Sequence, residues 1–153
     1  MAGGNTLAEL REATMAAEIE LTGGASPRVA PFADVRAVGS LLQRAGFALP
    51  VVDRDVVTVR YESPLALLYE LRAMGAGNVL VERDREPMPR QLLMRICEVY
   101  VERFAEDDGR IPATFEFVSM SGWAPHESQP KPLAPGSARI SLADALKRPG
   151  EDA

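Results

Sequence analysis

Strand-forming sequence is scarce in this chain, and that shortage limits what it can fold into. A period of two is clear over residues 113–120, where Phe115 and Phe117 share one face and Glu116, Val118 and Met120 the other. Residues 49–61 also alternate, with Val57, Val59 and Tyr61 against Val56, Thr58 and Arg60, but Pro50 and Asp53-Arg54-Asp55 predict a kinked strand or two short ones. Three strands at most then stand against four helices, too little sheet for the two helical layers of a self-sufficient α/β domain. The chain also opens on Gly3-Gly4 with no element ahead of them. The expectation is a portion of a larger fold.

The helices carry clearer punctuation. Thr6-Leu-Ala-Glu9 has capping-box spacing and predicts a helix over 6–20, with Leu7, Leu10, Met15 or Ala17, and Leu21 near helical period and Gly23-Gly24 as its stop. A second helix is expected over 33–45, with Val35, Val38, Leu41, Leu42 and Ala45 on one face and Gly46 beyond it. Ser63-Pro64 is a cap followed by proline at the first helical position, and Leu65, Leu68, Leu71 and Met74 continue to Gly75. After a charged loop over 82–89, Leu92, Leu93, Ile96, Tyr100 and Phe104 define a long helix. Tyr61, Tyr69 and Tyr100 fall on apolar faces and read as core residues. Residues 1–124 form the packed unit in this reading, and 125–153 a proline-rich, partly ordered tail with a weak helix near 141–146.

A net charge of −5 with no basic block argues against a nucleic-acid surface. The single cysteine, Cys97, cannot close an internal disulfide and reads as a small hydrophobe. No apolar run approaches the about 20 residues that span a bilayer, and the start lacks the order of a signal peptide, so the chain reads as cytoplasmic.

Seven segments, taken in order, point to a family. They are Gly3-Gly-Asn-Thr-Leu-Ala-Glu-Leu-Arg11, Ser26-Pro-Arg-Val-Ala-Pro-Phe32, Leu41-Leu-Gln-Arg-Ala-Gly-Phe47, Val56-Val-Thr-Val-Arg-Tyr61, Glu70-Leu-Arg-Ala-Met-Gly-Ala-Gly-Asn78, Asp108-Gly-Arg-Ile-Pro-Ala-Thr-Phe115 and Gly122-Trp-Ala-Pro-His-Glu-Ser-Gln129. Together they resemble the C-terminal half of class I S-adenosylmethionine-dependent methyltransferases. The nearest branch contains the biotin-synthesis malonyl-carrier-protein methyltransferase and the mitochondrial complex I assembly factor, a methyltransferase-like protein with an arginine-hydroxylase role. The last segment favours the assembly-factor side. The resemblance implies an α/β, Rossmann-like partial fold of C-terminal helices and edge strands. Gly3-Gly4 would follow the family's fifth strand, residues 49–61 would be the sixth, and 113–120 the last, antiparallel strand, which meets the fifth.

The resemblance also implies S-adenosylmethionine as cofactor, held in the family by a glycine-rich loop and a ribose-binding acid. This sequence has no strand followed by Gly-x-Gly, so no cofactor-binding residue carries over and the cofactor-binding half is absent from the expected fold. Asn5, Trp123, His126 and Glu127 are the acceptor-side candidates. Asn5 follows a glycine pair at a helix start, where capping is the plainer role. Trp123 reads as a packing residue that pins the tail to the sheet, or as an aromatic wall. His126 and Glu127 are adjacent and point apart in an extended segment. Asp53, Asp55 and Glu62 lack metal-ligand spacing and read as strand-edge charges. Arg83, Arg85 and Arg90 alternate with acids as in a solvated loop.

Two functional readings stand side by side. One is a methyltransferase-like enzyme portion related to the complex I assembly factor, acting on a protein substrate or a respiratory complex I subunit. The other is a non-catalytic interaction or assembly module that needs a partner carrying the missing half. An isolated copy is expected to self-associate through the sheet edge of the 113–120 strand.

Overall fold

The computed structural model describes residues 1–129 and Ser137. The weak helix expected near 141–146 and nearly all of the proline-rich tail lie outside the described residues. The described elements run α1 (Ala8–Thr22), α2 (Val35–Arg44), β1 (Ala48–Tyr61), α3 (Pro64–Ala73), α4 (Arg90–Phe104) and β2 (Ile111–Trp123). The fold is mixed α/β, four helices on a two-stranded antiparallel sheet.

Both strands are longer than the sequence predicts. β1 is one strand rather than two, paired with β2 from Val51↔Ser121 to Tyr61↔Ile111 and irregular only between Ala48 and Val51, where Leu49 takes φ 48°. Asp53, Arg54 and Asp55 do not break it, because their side chains are solvated while their backbone follows the ladder. Residues opposite each other share a face, so Tyr61, Val59, Val57 and Asp55 lie with Ile111, Ala113, Phe115 and Phe117. The upper part of that face enters the core, where Ile111, Ala113 and Tyr61 meet Leu7, Leu10, Ala13 and Ala17 of the first helix region, Leu67 and Leu71 of α3, and Leu92, Ile96 and Tyr100 of α4. Val118 is buried on the opposite face. There α2 lies against β1, with Gly39 close to Val52.

The helix faces differ in detail from their periodicity. Leu10 and Ala17 are buried in α1, whereas Met15 and Leu21 are exposed. Only Val38 is fully buried in α2, and Leu41 is exposed. α3 begins as expected, with Ser63 Oγ accepting from the Ala66 N–H and Pro64 in the first turn, but it buries Leu67 and Leu71 rather than Leu65 and Met74. In α4 the buried set is Leu92, Ile96, Val99 and Tyr100, and the Tyr100 hydroxyl donates to the Pro112 carbonyl at 2.8 Å. Tyr69 is 71% exposed, so it is not a core residue. Cys97 is half-buried on α4, and its thiol is pushed up by burial and by the neighbouring Glu98.

The largest correction concerns the capping box. Helix α1 starts at Ala8, after Leu7 at φ 54°, with no side-chain cap. Thr6 Oγ1 instead donates to the Glu116 carbonyl at 3.0 Å and accepts from the Glu116 N–H at 3.1 Å. The Glu9 carboxylate accepts from the Thr114 N–H at 3.1 Å and from the Thr114 hydroxyl. The two residues join helix to strand, which satisfies polar groups of β2 that β1 does not reach.

The outer edge of β2 is therefore not free, contrary to the expectation of self-association there. Gly3 N–H donates to the Glu116 carbonyl, Val118 N–H to the Met1 carbonyl and Leu7 N–H to the Thr114 carbonyl, at 2.7–2.8 Å. Ala2 faces Phe117 in an antiparallel bridge. Replacing Thr6 with Val keeps the volume but strips the Glu116 N–H of its partner and leaves the Glu116 carbonyl with the Gly3 N–H alone. We expect a loss of about 1–3 kcal/mol in urea unfolding and faster exchange of the Glu116 amide, with Thr6→Ser close to the parent. A helix-capping role alone would leave that amide unaffected.

Candidate functional site

Asn5 lies where residues 1–7 cross β2. Its Nδ2 donates to Glu116 Oε2 at 2.8 Å, and Glu116 is only 3% exposed. The fit depends on Gly3, since a Cβ there would stand 2.2 Å from Glu116 Oε1. Beside this pair opens a cleft of about 480 Å³, bordered by Gly4, Asp34, Arg36, Asp53 and Arg54. Asp34 is fixed as the N-cap of α2, accepting from the Ala37 N–H at 2.8 Å. Glu116 was absent from the residues the sequence singles out. The signal was there, a carboxylate on the apolar side of the best strand between Val118 and Thr114.

A second cleft, of about 590 Å³ and mostly apolar, lies between Leu7, Leu68, Leu71, Val29, Phe32 and Val79. One wall is the loop 26–32, which is held by the buried Glu18. That carboxylate accepts from the Ser26 N–H at 2.7 Å and the Ser26 hydroxyl at 2.8 Å, and pairs with Arg28 at 2.6 Å. Asn78 Nδ2 ties the other side of the cleft to the Pro27 carbonyl at 2.7 Å. A segment that the sequence reads only as extended, Ser26 to Pro31, thus becomes a fixed wall.

The remaining candidates are not brought to either cleft. Trp123 ends β2 opposite Ala48 and is 67% exposed, so it does not pin the tail against the sheet among the described residues. His126 Nδ1 lies 2.8 Å from Ser128 Oγ in a local turn, closed by Gln129 Oε1 on the His126 N–H, and Glu127 is exposed. Trp123 is seven positions beyond Glu116, roughly 23 Å along the strand. It also lies at the amino end of β1, whereas ligands in open α/β sheets bind beyond the carboxyl ends. Among the described residues no group of three or more His, Cys, Asp and Glu could hold a metal ion, and no helix is long and apolar enough to cross a membrane.

Burial pushes the Glu18 carboxyl up, but hydrogen bonds from the Ser26 N–H, Arg28 and the Ser26 hydroxyl outweigh it and hold it below its ordinary 4.5. A depressed folded value stabilises the protein above the unfolded value, and the contribution is lost as pH falls through the folded one. Stability should therefore drop below pH ~4.5 in the parent through this group. In Glu18→Gln the curve should be flatter there and the whole loop less stable at neutral pH, read by urea unfolding as a function of pH. Equal pH dependence in the two proteins would remove Glu18 as the clamp.

No protein-family model matches this chain. It is 40% identical over 147 residues to arginine-hydroxylase NDUFAF5, mitochondrial, of Danio rerio, which covers 96% of this chain and 46% of that protein. The Homo sapiens protein of the same name is also 40% identical over 147 residues, covering 96% of this chain and 42% of its own length. The malonyl-[acyl-carrier protein] O-methyltransferase of Laribacter hongkongensis is 39% identical over 123 residues, 80% of this chain and 39% of that protein. The chain spans less than half the length of the curated relatives it matches. It is a homologue of both kinds of protein, NDUFAF5 and malonyl-[acyl-carrier protein] O-methyltransferase, over most of its own length.

Proposed function

We propose that this chain is the C-terminal, acceptor-side portion of a class I methyltransferase-like protein related to the complex I assembly factor. The observation that carries the reading is the strand arrangement. β2 runs antiparallel between β1 on one side and residues Met1–Gly3 on the other. That is the order the family resemblance gives to its sixth, last and fifth strands. The identity to NDUFAF5 over 96% of the chain supports the same branch.

In this reading S-adenosylmethionine is the cofactor, and its glycine-rich loop and ribose-binding acid belong to the other half of the fold. The packed unit is residues 1–124. Its part in the chemistry is positional, since an in-line transfer depends on holding donor and acceptor at reacting distance. Asn5 stands just beyond the segment that takes the place of the fifth strand, at the carboxyl side where ligands bind. Trp123, His126 and Glu127 mark the lineage and stand away from the acceptor. The acceptor is a protein side chain, as the name of the NDUFAF5 relatives suggests, and a respiratory complex I subunit is the partner the branch suggests.

One observation also favours a role in assembly. Met15 and Ile19 on α1 and Val51, Val57 and Phe117 on the sheet are each 47–60% exposed. Apolar surface of this kind calls for a cover, either the cofactor half or a partner protein.

Titration calorimetry tests the reading. The 153-residue chain alone should give no heat with S-adenosylmethionine, and binding should appear when the N-terminal half of a relative is co-produced with it. Saturable binding by the chain alone would place a cofactor site within these residues and overturn the division of labour. Failure of any half to restore binding would favour the non-catalytic role.

A further inference from the structure

Among the described residues one long sheet edge stays uncovered, and it belongs to β1 rather than β2. The backbone groups of Thr114, Glu116 and Val118 face residues 1–9. Their ladder partners Thr58, Val56 and Arg54 therefore turn their own N–H and carbonyl groups the other way, out of the sheet, and alternation adds Arg60. The Arg54 N–H is taken by Asp53 Oδ1 at 2.8 Å, whereas those of Val56, Thr58 and Arg60 have no partner among the described residues. All residues from 53 to 60 are exposed, so neither a helix nor a loop screens this stretch. An open row of this kind is a template for another strand.

The side chains select which strand fits. A second copy of β1, related by a two-fold axis at Thr58, sets Thr58 opposite Thr58 and Val56 opposite Arg60, with the open backbone groups of both copies facing each other. On the face with Tyr61, Val57 of each copy then meets Val59 of the other, and both valines are exposed in the single chain. On the opposite face Arg54 meets Glu62 of the second copy, and these two exposed residues form no ion pair among the described residues. Arg60 is already neutralised by Glu106 and Asp108, and its stem lies over Val56 of the second copy. A slip of two residues towards the amino end sets Arg54 opposite Arg60, and a slip of four sets Asp55 opposite Val57. A slip of two the other way carries Arg54 past Glu62 to Pro64.

We propose that two copies of this chain join edge to edge through residues 56–60 of β1, antiparallel, into one continuous sheet, with an Arg54 and Glu62 pair at each end fixing the register. Asp53 and Asp55 keep the part of edge charges, since they lie outside the paired stretch and penalise slips towards the amino end. Self-association thus moves from the edge of β2, which residues 1–9 fill, to that of β1. The surface is built wholly from this chain, so the inference needs neither the cofactor nor the methyltransferase reading.

Sedimentation velocity of the full 153-residue chain over a wide concentration range tests this, together with amide hydrogen exchange. The chain should pass from monomer to dimer as concentration rises, and the Val56, Thr58 and Arg60 amides should exchange more slowly in step. Thr58→Pro removes a donor that β2 does not use, and should leave a monomer that still melts cooperatively. Arg54→Glu and Glu62→Arg should each weaken the dimer by about tenfold or more, because like charges then meet at both ends, and the two together should restore it. Within one chain these residues stand roughly 26 Å apart along an extended strand, so the rescue reads contact between copies. A chain that stays monomeric at every concentration overturns the proposal. So does a dimer that Thr58→Pro and the charge variants leave intact, which would put the contact on the exposed apolar face of the sheet, and so does a double charge variant that fails to recover what each single one loses.

Discussion

Residues 1–9 are sewn to the outer edge of β2, and the placement of nearly everything else depends on that seam. Backbone bonds from Gly3, Leu7 and Val118 run along it, and the side chains of Thr6 and Glu9 fill the positions between them. A left-handed residue other than glycine is disfavoured, yet Leu7 holds φ 54° because its N–H is bonded to Thr114 and its side chain is buried in the core. From that turn α1 is aimed so that Ala13 and Ala17 pack fully buried within the cluster that also takes in α4. Small residues there let the helices approach closely. A network on the outside, Arg95 with Glu20, Glu98 and Glu102 and Arg103 with Glu12, spans the same two helices. Those pairs are solvated and add little compared with the buried seam.

Features decided by neighbouring residues were legible from the sequence. Ser63-Pro64 and the glycines at 23, 46 and 75 fix helix ends through local backbone geometry, and all three glycines take positive φ. What was not legible is where a local motif has a competing tertiary use. Thr6 and Glu9 have the spacing of a capping box, but β2 offers unsatisfied backbone and hydroxyl groups that the same side chains bond. Periodicity also marks an apolar stripe without saying which part of it meets a neighbour. Leu67 and Leu71 face the core while Leu65 and Tyr69 do not, because α3 presents only a narrow strip to α4 and the sheet. Asp53-Arg54-Asp55 reads as an interruption, and β1 runs through it because that stretch of the strand is solvated.

The same distinction separates the two parts of the candidate site. Asn5 is visible because a glycine pair and a helix start announce its loop. Glu116 hides in an alternating strand, where a single charge is ordinary, and only the crossing of residues 1–7 buries it. Rare side chains proved a poor guide to the cleft, since Trp123 and His126 stand at the amino end of β1. The resemblance drawn from the seven segments together is what the 40% identity to NDUFAF5 bears out. The loop 26–32 likewise has no helical or strand signature, and its shape comes from one buried carboxylate reached across eight to ten residues of chain.

If the seam organises the fold and builds the cleft, the Ala2 and Phe117 α-protons must face each other across a close, non-hydrogen-bonded antiparallel pair. A nuclear Overhauser spectrum of the 153-residue chain reads this directly. The account predicts a strong Ala2 Hα to Phe117 Hα cross-peak, of the same class as the cross-strand peak between the Thr58 and Thr114 α-protons in the β1–β2 ladder. Absence of the first with the second intact would mean that residues 1–3 do not pair with β2, and the account of the site would be wrong.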